Sequence, residues 1–298
     1  MEIIIGKTAG FCFGVKNAVT KAEEALKQNE EIYCLGELVH NKQVTKKLTQ
    51  KGMHFIDDIT EAKAKTVIRS HGVEKNIYKQ AENMEIELID LTCPKVLNIH
   101  NIAEEYAKKG FYIILTGDKN HPEMLGTASF CGEHYYILEK EEDIENAIDE
   151  FKKLKLSNIL LISQTTYSLE KFKKIADILQ KEIPNIEVIN TICNATKMRQ
   201  EETEQMAKDV DIMIIVGGKH SSNSNKLYEI AKKHCNNVLF VETADELNIK
   251  REFIGGKNHE NKPSVRIGIM AGASTPEESI VKVVEKLKEM WYNKKGKI

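Results

Sequence analysis

Short continuous apolar runs alternate with amphipathic stretches along the chain. The runs at 111–115 and 212–216 are strand length and rich in isoleucine. Such runs suit strands buried on both faces of a parallel sheet. Residues 15–28, 96–109 and 196–208 each read as a helix, and a shorter helix is expected at 226–233. The last helix is strongly marked. Thr275 stands as its N-cap, Pro276 at its first position and Glu278 as the partner in a capping box, with Ile280, Val283, Val284, Leu287 and Trp291 on one face. Strands alternating with helices predict the α/β class, with right-handed crossovers. The polar, glycine-rich stretch 255–263 is expected to be an exposed loop without a chemical role.

The pattern repeats at long range. Cys12, Cys93 and Cys193 each close an apolar strand and precede a helix, and a histidine follows each at 27 or 28 residues: His40, His121 and His220. A strand with an acidic helix start comes next, at 55–59, 137–144 and 240–247. Then comes a strand ending in a small polar turn, at 67–72, 160–166 and 267–275. The period is that of a domain, not of a solenoid. Three similar α/β units are expected, over 13–93, 94–193 and 194–298. The third lacks its closing strand, and residues 1–12 are expected to supply it.

Composition excludes more than it identifies. With 43 basic against 45 acidic residues, no basic excess points to nucleic acid or an anionic membrane as partner. No apolar run reaches membrane-spanning length, and the N-terminus lacks the pattern of a signal peptide. A cytoplasmic protein with reduced thiols is the expectation. Cys34, Cys131 and Cys235 lie outside the repeated turn and read as small buried apolar residues.

Three thiolates on equivalent turns form a candidate metal site. Without a fourth cysteine or a paired C-x-x-C spacing they fit closed structural zinc poorly, although three cysteines and a histidine around zinc stay open. An iron–sulfur cluster is the alternative, and three thiolates on a four-iron cube leave one iron open to substrate. Glu123, two residues after His121, is either an ordinary acid at a helix start or a proton donor, with Thr165 as relay. Ser221-Ser222-Asn223 and Ser274 precede helices. They are either caps or, with His40 and His71, donors for a phosphate-like anion. No Walker or G-x-G-x-x-G pattern supports a nucleotide in the usual loop.

These segments together resemble one family. They are Ala9-Gly10-Phe11-Cys12-Phe13-Gly14-Val15, Leu38-Val39-His40-Asn41, Arg69-Ser70-His71-Gly72-Val73, Asp90-Leu91-Thr92-Cys93-Pro94, His121-Pro122-Glu123, Ser163-Gln164-Thr165-Thr166, Asn190-Thr191-Ile192-Cys193, Ser221-Ser222-Asn223-Ser224 and Ala271-Gly272-Ala273-Ser274. Over nearly its whole length the chain resembles the LytB/IspH family, the hydroxymethylbutenyl diphosphate reductases of the non-mevalonate isoprenoid pathway. The resemblance implies a pseudo-three-fold trefoil of α/β domains around a [4Fe–4S] cluster ligated by Cys12, Cys93 and Cys193. It implies an allylic diphosphate substrate held by His40, His71, His121, Thr165, Ser221, Ser222, Asn223 and Ser274. Glu123, helped by Thr165 and His121, would supply protons, and a ferredoxin or flavodoxin the electrons. The products would be isopentenyl and dimethylallyl diphosphate. Readings that compete with it are a non-redox hydro-lyase using an open iron, an iron–sulfur sensor without turnover, and a structural zinc protein.

Overall fold

The computed structural model describes residues 1–28, 31–153, 158–183, 185–249 and 265–292. The stretch 255–263 lies outside the described residues. Twelve strands among the described residues form three four-stranded, all-parallel sheets. The chain divides into two compact units, Met1–Phe13 with His40–Val44 and Asn194–Ile298, and Gly14–Val39 with Thr45–Cys193. No helix among the described residues is long and apolar enough to cross a membrane.

The first unit holds one sheet. Its strands are β1 (Glu2–Ile5), β10 (Ile212–Val216), β11 (Val238–Val241) and β12 (Arg266–Ala271), in the order β1-β12-β10-β11. Strand period places alternate side chains on opposite faces. Ile212, Ile214 and Val216 pack with Ile267, Ile269, Val283 and Leu287 on one face. Met213 and Ile215 pack with Ala207, Leu227 and Ala231 on the other. Helix α10 (Glu277–Tyr292) covers the first face, and α8 (Asn194–Asp209) and α9 (Ser222–His234) cover the second.

The second unit holds two sheets. One is formed by β2 (Ile32–Leu35), β3 (Met53–Ile56), β4 (Thr66–Ile68) and β5 (Leu88–Asp90), in the order β3-β2-β4-β5. The other is formed by β6 (Tyr112–Thr116), β7 (Tyr135–Leu138), β8 (Ile159–Ser163) and β9 (Glu187–Val188), in the order β7-β6-β8-β9. In all three sheets the strand leading to a cysteine (β1, β5 or β9) lies at an edge, beside the strand that ends in the small polar turn. Strand β1 therefore takes in its sheet the place that β5 and β9 take in theirs, in register Ile3 with Ile267 and Ile5 with Ile269.

Several details differ from the pattern-based expectations. Each helix after a cysteine starts at the very next residue: α1 (Phe13–Gln28), α4 (Pro94–Lys108) and α8. Helix α9 starts at Ser222, four residues before the expected start. Serine and asparagine are weak helix formers, but Ser221 caps them by accepting from the Ser224 N–H. Helix α10 starts at Glu277, and the Thr275 hydroxyl donates to the Val216 carbonyl, 3.0 Å away. The acidic helix starts are single 3₁₀ turns at Ile59–Glu61, Glu141–Asp143 and Ala244–Glu246, of which only the second runs on into a helix, α6 (Ile144–Lys153). Ile5, the last residue of β1, is 48% exposed.

The two isoleucines Ile3 and Ile5 contribute differently. Ile3 packs against the core of its unit, whereas Ile5 faces solvent. Ile3→Ala is expected to lower stability by about 1–2 kcal/mol and Ile5→Ala by under about 0.5 kcal/mol, read by urea unfolding. Equal losses at the two positions would show that β1 is not seated as described.

Candidate active site

The three cysteine turns share one hydrogen bond. The N–H of Cys93 donates to the Ser70 carbonyl at 3.0 Å, that of Cys193 to Thr165 at 3.1 Å and that of Cys12 to Ala273 at 3.0 Å. Each acceptor lies two residues past the end of the neighbouring strand. The backbone of every cysteine is thereby pinned to a polar turn, with its helix starting one residue later, where the helix dipole favours negative charge. Ser70 and Ala273 are missing from the sequence-based site. Aligning the three polar turns on Thr165 would have found both.

The six cysteines fall into two classes. Cys34, Cys131 and Cys235 are buried and donate to backbone carbonyls, Cys34 to Gly36 at 3.2 Å, Cys131 to Thr127 and Cys235 to Asn237, both at 3.4 Å. Burial pushes the thiols of Cys34 and Cys131 up to about 12, so both stay protonated and inert. Cys12, Cys93 and Cys193 are half-buried, and none is in a disulfide. Only this second set, at helix starts and within reach of solvent, suits thiolate ligation of a soft metal or cluster.

In the second unit an acid is built onto the Cys193 turn. Glu123 lies in α5 (Pro122–Ala128) and is 1% exposed. Its carboxylate oxygens accept from Thr165, Oε1 from the backbone N–H and Oε2 from the hydroxyl, both at 2.6 Å. Burial pushes the Glu123 carboxyl up to about 7, and the two bonds from Thr165 oppose that shift without cancelling it. At neutral pH the group is therefore poised between acid and base. Thr165 is buried too and joins this acid to the backbone of Cys193.

His121 caps the same helix. Its Nδ1 accepts from the Glu123 N–H at 3.1 Å, so the neutral ring carries its proton on Nε2. The ring of His71 stands edge-on to that of His121, centroids 5.4 Å apart. His71 sits on a tight turn closed by Gly72 N–H to the Arg69 carbonyl, and Gly72 has φ +74°, where glycine is favoured. The second unit thus brings together His71, His121, Glu123 and Thr165.

The first unit carries the other half of the expected set. The Ser274 hydroxyl donates to the His40 carbonyl at 3.1 Å. Ser221 caps α9, and its oxygen accepts from Ser224 N–H at 3.3 Å, which leaves its own hydroxyl proton to give. Asn223 is 4% exposed, yet neither its amide nitrogen nor its oxygen has a hydrogen-bond partner among the described residues. An unsatisfied buried amide costs about 1–3 kcal/mol. Its position in the first turn of α9, beside the N–H groups of a helix start, suits an anionic ligand to which the amide N–H could donate. His220, the third histidine of the repeat, is exposed and takes no part.

The chain has relatives among known proteins. The model of the LytB protein family matches residues 3–288. The chain is 42% identical over 296 residues to the 4-hydroxy-3-methylbut-2-enyl diphosphate reductase of Caldanaerobacter subterraneus subsp. tengcongensis, covering 97% of this chain and 98% of that one. A solved structure of (E)-4-hydroxy-3-methyl-but-2-enyl diphosphate reductase, the terminal enzyme of the non-mevalonate pathway, is 38% identical with a TM-score of 0.68, covering 97% of this chain and all of that one. The corresponding reductase from Plasmodium falciparum is 29% identical with a TM-score of 0.83, covering 95% of this chain and 87% of that one.

The Glu123 carboxyl gives a pH signature. Between about pH 4.5, its ordinary value, and about 7 the folded chain holds a proton that the unfolded chain has released. Its contribution to stability is present below that window, falls as pH rises through it and is level above. Glu123→Gln removes the ionisation. The stability of Glu123→Gln relative to the parent is expected to rise between pH 4.5 and 7 in urea unfolding. A flat difference would mean that the carboxyl is ionised throughout.

Proposed function

As the chain belongs to the LytB protein family, we propose that it reductively removes the hydroxyl of 4-hydroxy-3-methylbut-2-enyl diphosphate. The products are isopentenyl and dimethylallyl diphosphate. The observation that carries this reading is the buried Glu123 carboxyl, tied by Thr165 to the turn that holds Cys193. Reductive dehydroxylation adds two electrons and two protons and releases the oxygen as water. It needs an acid that is protonated at neutral pH beside the redox centre, and Glu123 fits that need.

Cys12, Cys93 and Cys193 are the residues proposed to hold a [4Fe–4S] cluster, which supplies the electrons and a Lewis-acidic iron when bound. The donor set fits this group, because these three thiols alone stand at helix starts and escape full burial. The electrons come from a small redox protein of the ferredoxin or flavodoxin kind. A cytoplasmic location belongs to the same proposal, since free thiols suit a reducing compartment. The three sheets are read as three repeats, over 13–93, 94–193 and 194–298 completed by 1–12.

The side chains divide the work. Glu123 holds a proton on its carboxyl, and the Thr165 hydroxyl, 2.6 Å away, can receive it while passing its own proton on to the leaving oxygen. His121 offers its Nε2 proton, because Nδ1 is taken by the helix cap. The α9 start supplies the Ser221 and Ser222 hydroxyls and the Asn223 amide for the diphosphate, with His40 and His71 as further donors and the Ser274 hydroxyl once it turns from the His40 carbonyl.

The iron prediction separates the two classes of thiol. Anaerobically purified protein is expected to be brown. Cys12→Ser, Cys93→Ser and Cys193→Ser should each lose cluster and turnover, while Cys34→Ser keeps both. Colourless protein with stoichiometric zinc would contradict the proposal. The proton prediction concerns Glu123→Gln, expected to retain cluster and substrate binding and to turn over at least ~10²-fold more slowly. Near-normal turnover would return Glu123 to the role of an ordinary acid at a helix start. Water release without a reductant would favour a hydro-lyase instead.

A further inference from the structure

Cys12 differs from the other two cysteines in how it is delivered. Strand β1 ends at Ile5, and the seven-residue path from Gly6 to Cys12 has no regular secondary structure. Backbone bonds hold its ends, Gly6 N–H to the Ile269 carbonyl and Cys12 N–H to Ala273. Its middle is gripped by two side chains of α8.

Glu202 receives the first half of the loop. Its Oε1 accepts from Lys7 N–H at 2.6 Å, and its Oε2 accepts from Thr8 N–H at 2.9 Å and from the Thr8 hydroxyl. Gly6, next to this segment, leaves room for Met270, whose sulfur a Cβ there would overlap. Arg199 holds the second half. It is 4% exposed, and its Nη2 donates to the Gly10 carbonyl at 2.7 Å while Nη1 donates to Ala195 in its own helix at 3.0 Å. Gly10 has φ +98°, a left-handed conformation that turns its carbonyl toward the guanidinium. Arg199 and Glu202 are three residues apart, hence on one face of α8.

Helix α8 begins at the residue after Cys193. We propose that Arg199 and Glu202 are positioning residues for the Cys12 ligand, a two-point clamp through which the helix that follows Cys193 fixes the loop that presents Cys12. This inference rests on the proposed ligand role of Cys12. Charge-assisted bonds to the Gly10 carbonyl and to the Lys7 and Thr8 amides are the strong kind. They set the direction of the chain two to five residues before the sulfur.

The test compares the anaerobically loaded parent with Glu202→Gln, Arg199→Gln and Arg199→Lys. Glu202→Gln changes a partly exposed group and preserves shape, so it covers the case in which Arg199→Gln does not fold. The readouts are the rate of iron release to a chelator and the electron paramagnetic resonance spectrum of the reduced cluster. Both Gln variants are expected to release iron roughly tenfold faster, within the usual range for a lost supporting residue, and to change the spectrum. Arg199→Lys, which keeps a charged donor for the Gly10 carbonyl, should bring release and spectrum back toward the parent. Parent-like release and spectra in both Gln variants would overturn the clamp. A parent that binds no iron would overturn the proposed function instead. The clamp would then be read from hydrogen exchange at Lys7 and Thr8 in the metal-free protein, where faster exchange in Glu202→Gln supports it and unchanged exchange overturns it.

Discussion

The arrangement turns on one backbone hydrogen bond made three times. The N–H of Cys12, Cys93 and Cys193 each reaches the carbonyl of a residue just past the neighbouring strand: Ala273, Ser70 and Thr165. That bond exists only because the strand before each cysteine lies parallel to the strand before each polar turn, so both turns emerge at the same end of the sheet. Parallel pairing thus does more than build a core. It sets a thiol and a set of polar side chains side by side at the carboxyl ends of strands, where open α/β sheets carry their ligands.

Burial then separates groups that are chemically alike. Three thiols sit in apolar surroundings, bonded to backbone carbonyls, and two of them are pushed to about 12. The other three stand at helix starts with partial exposure. Carboxyls divide in the same way. Glu123 is fully enclosed and held near neutrality, because desolvation outweighs the two bonds from Thr165. Glu202, half-exposed, accepts three hydrogen bonds from the Lys7-Thr8 segment, and these hold it below the usual range although burial pulls the other way. One acid can exchange a proton, and the other stays an anion and serves as an anchor.

Much of this was legible in the sequence because it is periodic. The equivalence of Cys12, Cys93 and Cys193 appears in spacing alone, and so does the need for β1 in the last sheet. The features that escaped are of another kind. The grip of Arg199 on Gly10 joins residues 189 positions apart, and no local pattern encodes it. The start of α9 at Ser222 runs against helix propensity and is secured by the Ser221 cap, which the motif reading treated only as an alternative to anion binding. The hydroxyl of Thr275 looked like a cap and bonds to Val216 instead, a choice made by tertiary packing. His220 kept the spacing of its counterparts but lies exposed. Spacing predicts where a residue sits along the chain, and packing decides what it faces.

The central claim is that three thiolates leave one iron of a four-iron cluster open to the substrate hydroxyl. Mössbauer spectroscopy of anaerobic, ⁵⁷Fe-loaded protein, with and without 4-hydroxy-3-methylbut-2-enyl diphosphate, addresses it directly. The account predicts a three-to-one pattern of iron sites in which only the minority site shifts when the diphosphate is added. Four equivalent irons, or a spectrum indifferent to the diphosphate, would contradict it.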